Sequence, residues 1–266
     1  MKKTIEIPIL VTLFISAVIL PGCTPRPASG APDLFLVVSI DSLRPDALSP
    51  ERASNISALA KEGKYIEGSS VHPPKTLIAH TAMFTGLTPE ESGKKDNSWY
   101  EGDEHVKSPT IFTLARSKGL ATGYFYSKAK LGYLVNDAVI KHEFSEEYSI
   151  DSALDFIRIH KNTFVFLHVS GLEYAGMEYG WMSKEYLNEL SSIDRKLMPL
   201  FSAISTDGKK YTIIITSDHG GHDKLHGTDH RDDYRVPLVM YSNYKKLPDI
   251  KGYRLTDLKG IIEKMI

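Results

Sequence analysis

Leu34-Phe35-Leu36-Val37-Val38-Ser39-Ile40 is an almost unbroken apolar run that stops at Asp41, and a chain with several such runs has few folds open to it. A strand with one wet face alternates apolar and polar residues, whereas a continuously apolar strand needs cover on both faces. Residues 121–126, 163–169, 211–216 and 236–241 share the character of the first run. Between them lie helical patterns: 50–61, with Ser49 as cap, Pro50 in the first turn and Gly63 as the stop, then 76–84, 109–117, 149–160 and 183–204. In the last of these Leu187, Leu190, Ile193, Leu197, Leu200 and Phe201 recur at helical spacing and read as core. Strands alternating with helices predict an α/β fold, a three-layer α/β/α sandwich with a mostly parallel central sheet, built as a single domain over residues 34–266.

Such sheets bind ligands at the carboxyl ends of their strands, and acids stand there. Asp41 closes the first run, Asp218 follows the fourth, and Glu173 comes a few residues after the third. The stretch Ser217-Asp218-His219-Gly220-Gly221-His222, continuing to His226-Gly227-Thr228-Asp229-His230, carries four of the ten histidines. Histidines and carboxylates beside a buried strand suit a divalent metal, the plainer reading being a polar surface loop. Gly220 and Gly221 would let the backbone turn sharply, and the glycines flanking the segment predict a loop although His222, His226 and His230 recur every four residues. Thr76 opens a predicted helix that closes at Gly86. A hydroxyl there meets free backbone N–H groups and a positive dipole end, which suits phosphate chemistry; alternatively Thr76 is only a helix cap.

The N-terminus speaks to location. Lys2 and Lys3, the apolar stretch 7–20 and Leu20-Pro21-Gly22-Cys23 read as a signal peptide over residues 1–22. Cys23, the only cysteine, resembles the lipidated position of a bacterial lipobox, and residues 23–33 are a proline-rich tether. Lipidation implies a protein held on the membrane surface at the extracytoplasmic side of the bacterial cell envelope, with ordinary secretion or an uncleaved anchor as alternatives. The net charge of −1 gives no electrostatic footprint for duplex nucleic acid. Any attraction for phosphate is therefore local.

Taken in order, Ile40-Asp41-Ser42-Leu43-Arg44, the helix from Thr76 into Thr85-Gly86-Leu87-Thr88-Pro89, then Asn97, Asp218-His219-Gly220-Gly221 and His226-Gly227 resemble the alkaline phosphatase superfamily. The likeness is to its type I phosphodiesterase and nucleotide pyrophosphatase branch and extends over essentially the whole chain from Leu34. The resemblance implies hydrolysis of phosphoric esters, with a small phosphodiester or nucleotide as substrate. It implies Asp41, Thr76, Asp218 and His219 as ligands of one zinc-type ion, Thr76 also as the nucleophile that becomes phosphorylated, and Asn97 as the amide that binds a phosphate oxygen. A second zinc-type ion is implied at Glu173 and His226, where the family's aspartate and histidine align with Glu173 and Met177. Methionine is a soft thioether that rarely binds zinc, so His222 or His230 would have to complete that site. Two readings stay open: a hydrolase, or an impaired or non-catalytic lipoprotein of the same fold that binds metal or phosphoester. Sulfatase chemistry is disfavoured, because Thr76 stands where a convertible cysteine or serine is required.

Other residues near these motifs carry less. His80 reads as a supporting residue, and Trp99, Tyr100, Tyr126 and Tyr133 as packing that could stack on a leaving group. Arg44, Lys75, Lys128 and Lys130 could meet phosphate, though lone cations are more often solvated. No role follows from sequence for His72, His105, His142, His160 or His168.

Overall fold

Strand β1 (Leu34–Ile40) is buried at every position, and its side chains divide between two separate cores. Leu34, Leu36, Val38 and Ile40 face one, while Phe35 and Val37 face the other. The run lacks alternation because neither face meets water. In the computed structural model, which describes residue 30, residues 32–205 and residues 208–266, β1 lies inside an eight-stranded sheet. The expected leader, Cys23 and most of the tether fall outside the described residues.

After β1 the chain forms α1 (Ser54–Glu62), β2 (Lys64–Ser69), α2 (Thr76–Thr85), α3 (Pro89–Ser92) and α4 (Ile111–Ser117). Then come β3 (Ala121–Tyr126), β4 (Lys141–Phe144), α5 (Ile150–Ile159), β5 (Thr163–Val169), α6 (Gly171–Tyr179) and α7 (Lys184–Ser205). The chain finishes with β6 (Tyr211–Thr216), α8 (Arg231–Tyr234), β7 (Arg235–Ser242), β8 (Tyr253–Arg254) and α9 (Leu258–Met265). The strand order is β4-β3-β5-β1-β6-β7-β2-β8. From β4 to β6 the pairings are parallel, and β7 runs against both of its neighbours. The sheet is mostly parallel, as the sequence predicts.

Helices cover both faces. Ile56 of α1, Leu154 of α5 and Leu190, Ile193 and Leu197 of α7 enter the first core; Leu77 and Phe84 of α2, Phe112 of α4 and Ile262 of α9 enter the second. This is the three-layer α/β/α arrangement. One boundary differs from expectation by more than two residues. The helix expected from residue 50 begins at Ser54, because Arg52 and Ala53 both donate their N–H groups to Ser49 O and make a turn. The start of α1 is capped from across the fold instead: the Asp194 carboxylate on α7 accepts from the N–H groups of Asn55 at 3.1 Å and Ile56 at 3.0 Å.

For function, the important consequence is the alignment of strand ends. Parallel register sets Ile40 beside Val169, Ser39 beside Thr216 and Phe125 beside Leu167. Whatever follows β3, β5, β1 and β6 therefore meets at one edge of the sheet.

Candidate active site

Each of these four strands is followed within a few residues by a charged group: Lys128 after β3, Glu173 after β5, Asp41 after β1, and Asp218 with His219 after β6. At Asp41 the chain leaves the sheet through Ser42, which is held in the left-handed region at φ 62°. The Ser42 N–H donates to Asp218 Oδ1 at 3.2 Å, and Ser42 Oγ lies 3.1 Å from His219 Nδ1. Leu43 N–H donates to Ser217 Oγ at 2.9 Å. These contacts lock the loop after β1 to the loop after β6, and so tolerate a backbone conformation that a non-glycine residue rarely adopts.

The glycines after His219 serve a purpose other than the one their sequence suggests. Neither lies in the left-handed region. A Cβ on Gly220 would stand 2.1 Å from Asp232 O, and one on Gly221 2.2 Å from the Trp181 ring, so both are required by close packing. Residues 217–230 form a loop without helix, as the flanking glycines predict.

His219 Nδ1 lies 2.8 Å from Gly220 O, which makes Nδ1 the N–H side of the ring and turns the Nε2 lone pair toward the acids. Nε2 is 3.5 Å from Asp41 Oδ1 and 3.5 Å from Asp218 Oδ2. All three atoms are buried without a hydrogen-bond partner. Leaving a buried polar atom unpaired costs about 1–3 kcal/mol, and more for a charged one. Asp41, Asp218 and His219 each offer a ligand atom within 4.8 Å of the other two, and this convergence of oxygen and imidazole donors fits a zinc-type divalent ion.

Thr76 is the first residue of α2 and Lys75 is the cap, so the role of mere helix cap does not describe it. Thr76 is fully buried, and its Oγ1 accepts from Lys128 Nζ at 3.1 Å. Asn97 meets the same helix end, its Oδ1 accepting from Leu77 N–H at 2.8 Å. With the amide oxygen committed, donation to a ligand falls to Nδ2. His80 braces the site from below: Nδ1 lies 2.8 Å from Thr76 O and Nε2 3.0 Å from Ser39 Oγ. Burial holds its pKa down at about 4, so the strut is neutral near pH 7.

His168, for which no role follows from sequence, and Lys128, read there as a cation that could meet phosphate or be solvated, both belong to the cluster. His168 Nε2 lies 3.2 Å from Asp41 Oδ2, with Nδ1 2.9 Å from Ser127 Oγ. Lys128 is buried rather than solvated, its Nζ 2.6 Å from Asp41 Oδ2 and 2.5 Å from Glu173 Oε2. Its position carried a signal: Lys128 stands two residues past an apolar strand, the same offset as Asp218. Burial pushes the Asp41 carboxyl up, but Lys128, His168 and His219 outweigh it and hold the group well below the usual carboxylate range. Burial, reinforced by the charge of Asp41, pushes Glu173 up. For Lys128 burial opposes the charge, yet Asp41 and Glu173 prevail and raise its pKa, so the ammonium persists.

Glu173 Oε1 lies 3.2 Å from His226 Nε2, and the His226 ring stacks on His219 with centroids 4.6 Å apart. Glu173, His219 and His226 thus form a second group of possible ligands that shares His219 with the first. Met177, one turn along α6 from Glu173, is 40% exposed. His222, considered above as its substitute, is committed elsewhere: Nδ1 lies 2.7 Å from Asp233 Oδ1 and the ring stacks on His230 at 3.9 Å. Beside the loops that carry Asn97 and Lys128 lies a cavity of 470 Å³ lined by Trp99, Tyr100, His105, Tyr126, His142 and Phe144, among others.

Comparison with known proteins agrees with this architecture. GPI ethanolamine phosphate transferase 1 of Neurospora crassa is 32% identical over 236 residues, covering 78% of this chain and 23% of that protein. Human ectonucleotide pyrophosphatase/phosphodiesterase family member 1 is 26% identical over 191 residues, covering 62% and 21%. The chain therefore spans less than a quarter of the length of these two relatives. The C-terminal periplasmic domain of EcEptC from Escherichia coli, in complex with Zn, shares the fold with a TM-score of 0.65 at 13% identity, over 90% of this chain and 84% of that one. Residues 35–234 match the model of type I phosphodiesterase / nucleotide pyrophosphatase, and with the strand-end acids and the Thr76 helix arranged as described, the chain belongs to that family.

Proposed function

We propose that this protein cleaves phosphoric esters, phosphodiesters or nucleotide pyrophosphates, by transferring the phosphoryl group to Thr76 and then to water. The observation that carries this reading is the set of three buried, unpartnered atoms, Asp41 Oδ1, Asp218 Oδ2 and His219 Nε2, beside a helix start that presents a threonine hydroxyl. Bound there, a divalent ion of zinc type would supply Lewis-acid charge that lowers the pKa of the Thr76 hydroxyl and neutralises the phosphoryl group. The chain's own groups do the positioning. Lys128 donates to Thr76 Oγ1 and favours its alkoxide. Thr76 Oγ1, its proton released to solvent, attacks phosphorus in line; the new O–P bond forms as the bond to the leaving oxygen breaks, and that oxygen takes a proton from solvent. Asn97 Nδ2 and the Thr76 N–H at the start of α2 receive the non-bridging oxygens as their charge grows, the Leu77 N–H being held by Asn97 Oδ1. Water then adds to phosphorus, and Thr76 Oγ departs with a proton.

The relatives named GPI ethanolamine phosphate transferase favour a second exit from the same intermediate, in which an alcohol replaces water as acceptor. The aromatic cavity offers flat faces to the organic part of the ester. The leader and Cys23 support a location on the extracytoplasmic membrane surface. Among the described residues no helix is long and apolar enough to cross a membrane.

The test uses zinc-replete protein and an aryl phosphodiester. Release of the aryl alcohol should require metal and vanish in Thr76→Ala, and acid quenching should trap a phosphoryl adduct on Thr76 visible by mass spectrometry. Added ethanolamine or glycerol appearing in the product would select the transferase exit. Absence of both turnover and adduct would reject the catalytic reading in favour of a binding protein.

A further inference from the structure

We infer that the ammonium of Lys128 serves as the second cation of this site, so that the centre works with one divalent ion and one lysine instead of two metals. For the importance of Thr76 this rests on the phosphoryl-transfer reading; the count of cations does not.

Position is the first argument. Lys128 Nζ lies 2.6 Å from Asp41 Oδ2, 2.5 Å from Glu173 Oε2 and 3.1 Å from Thr76 Oγ1. It bridges oxygens delivered by β1, α6 and the start of α2, which is what a second ion would have to do. Asp41 meanwhile keeps Oδ1 free of hydrogen bonds and directed at the first ligand group. One carboxylate thus joins the metal position to the ammonium.

Ligand supply is the second. A catalytic zinc takes about three protein ligands. The group around Glu173 reaches that number only by using His219, whose Nε2 also faces Asp41 and Asp218. A single lone pair serves a single ion, and the 3.5 Å separations to Asp41 and Asp218 are shorter than the 4.0 Å to Glu173. That leaves Glu173 Oε1 and His226 Nε2, with Met177 on an exposed part of α6 and His222 bound to Asp233. Among the described residues, those beside Glu173 do not fit a second ion.

Charge is the third. Asp41, Asp218 and Glu173 bring three carboxyl groups into a buried place, and Lys128 Nζ already stands against two of them. A second dication among these oxygens would stand against the ammonium, where like charges repel strongly at low dielectric. Lys128 is also fixed in place by more than these acids: it begins directly after Ser127, whose Oγ is bonded to His168. A lysine can hold charge on Thr76 Oγ during attack and departure, but it cannot generate hydroxide as a metal does. Water becomes the weaker acceptor, which leaves room for an alcohol.

The experiment counts metal. Protein carrying His222→Ala and His230→Ala, which removes the separate cluster with Asp233, is stripped with chelator, reloaded with zinc, and measured by plasma mass spectrometry and titration calorimetry. About one equivalent is expected, and about two in the same background with Lys128→Met and Met177→His, which removes the cation and supplies the missing ligand. Two tight equivalents with Lys128 intact overturn the inference, and that result needs no site variant to fold. One equivalent without ester cleavage would instead sink the proposed function and leave the cation count standing. Two equivalents with cleavage would do the reverse.

Discussion

At the scale of single residues, Asn97 shows how a placement and a role can be separated. Its Oδ1 caps Leu77 N–H, and its Nδ2 is the group assigned to phosphate. Asn97→Asp keeps an acceptor at a helix N-terminus, where a negative charge is favourable, but removes the donor and opposes the substrate's charge. Asn97→Ala removes both functions. We expect kcat to fall by about 10²–10³ in each variant, with thermal stability lowered only in Asn97→Ala. Rates and melts measured together check this; equal activity in Asn97→Asp and the parent would remove Asn97 from the chemistry. The site was legible in sequence to the same depth as such local signals. Asp41, Asp218 and His219 could be read because acids and a histidine within three residues of an apolar strand's end are metal-ligand types, whereas a lysine at the same offset is not. Lys128 and His168 could not be weighed in that way, since their importance comes from neighbours on β1 and α6 that only the folded sheet supplies.

Among the elements, α1 depends on α7. The Asp194 carboxylate accepts from Asn55 N–H, Ile56 N–H and Asn55 Nδ2, the last at 2.8 Å. Removing it uncaps the helix and leaves partly buried donors unpaired, so Asp194→Ala should cost about 2–3 kcal/mol. Urea unfolding should show a lower midpoint at unchanged slope. A second prediction concerns the turn Pro45–Ala47 that follows Arg44. Burial pushes the Asp46 carboxyl up, but the hydrogen bond and charge of Arg44, with help from Arg235, outweigh it and leave the pKa lowered. A folded pKa below the unfolded one stabilises fully above the unfolded value, about 3.9, and the stabilisation is lost as pH falls through the folded value. Urea midpoints of Asp46→Asn should therefore depend less on pH below about 4 than those of the parent. The strands that sequence revealed are those buried on both faces: β1, β3, β5 and β6 have the boundaries that their apolar runs predict. β2 and β4 escaped because their residues are mostly half-buried or exposed and their composition is polar. α6 escaped because Gly171 and Gly176 dilute any helical signal, and Gly176 is required there by the Trp181 ring, which a Cβ would approach to 2.7 Å.

The whole molecule couples its fold to its charge. The loops after β1 and β6 are joined through Ser42 and Ser217, and Lys128 lies in direct contact with Asp41 after β1 and with Glu173 on α6. Burial alone would lower the pKa of His219, yet Asp218, Asp41 and Glu173 raise it, which shows that the site favours positive charge at the point where the three unpartnered atoms meet. An ion that binds there binds the folded chain and not the unfolded one, so it must stabilise the whole fold. At free metal about 100-fold above Kd the gain is about 2.7 kcal/mol. For a domain of this size that corresponds to a rise in Tm of roughly 5–10 °C. Chelator-treated protein titrated with zinc should show a Tm that climbs with the logarithm of free metal once the site is saturated. Asp218→Asn and His219→Ala should lose most of this rise, whereas His222→Ala should retain it, because its partner is Asp233 and not the strand-end acids. A Tm indifferent to zinc in the parent would mean that the three converging atoms hold no ion, and both the Lewis-acid part of the proposed chemistry and the cation count would fall with it.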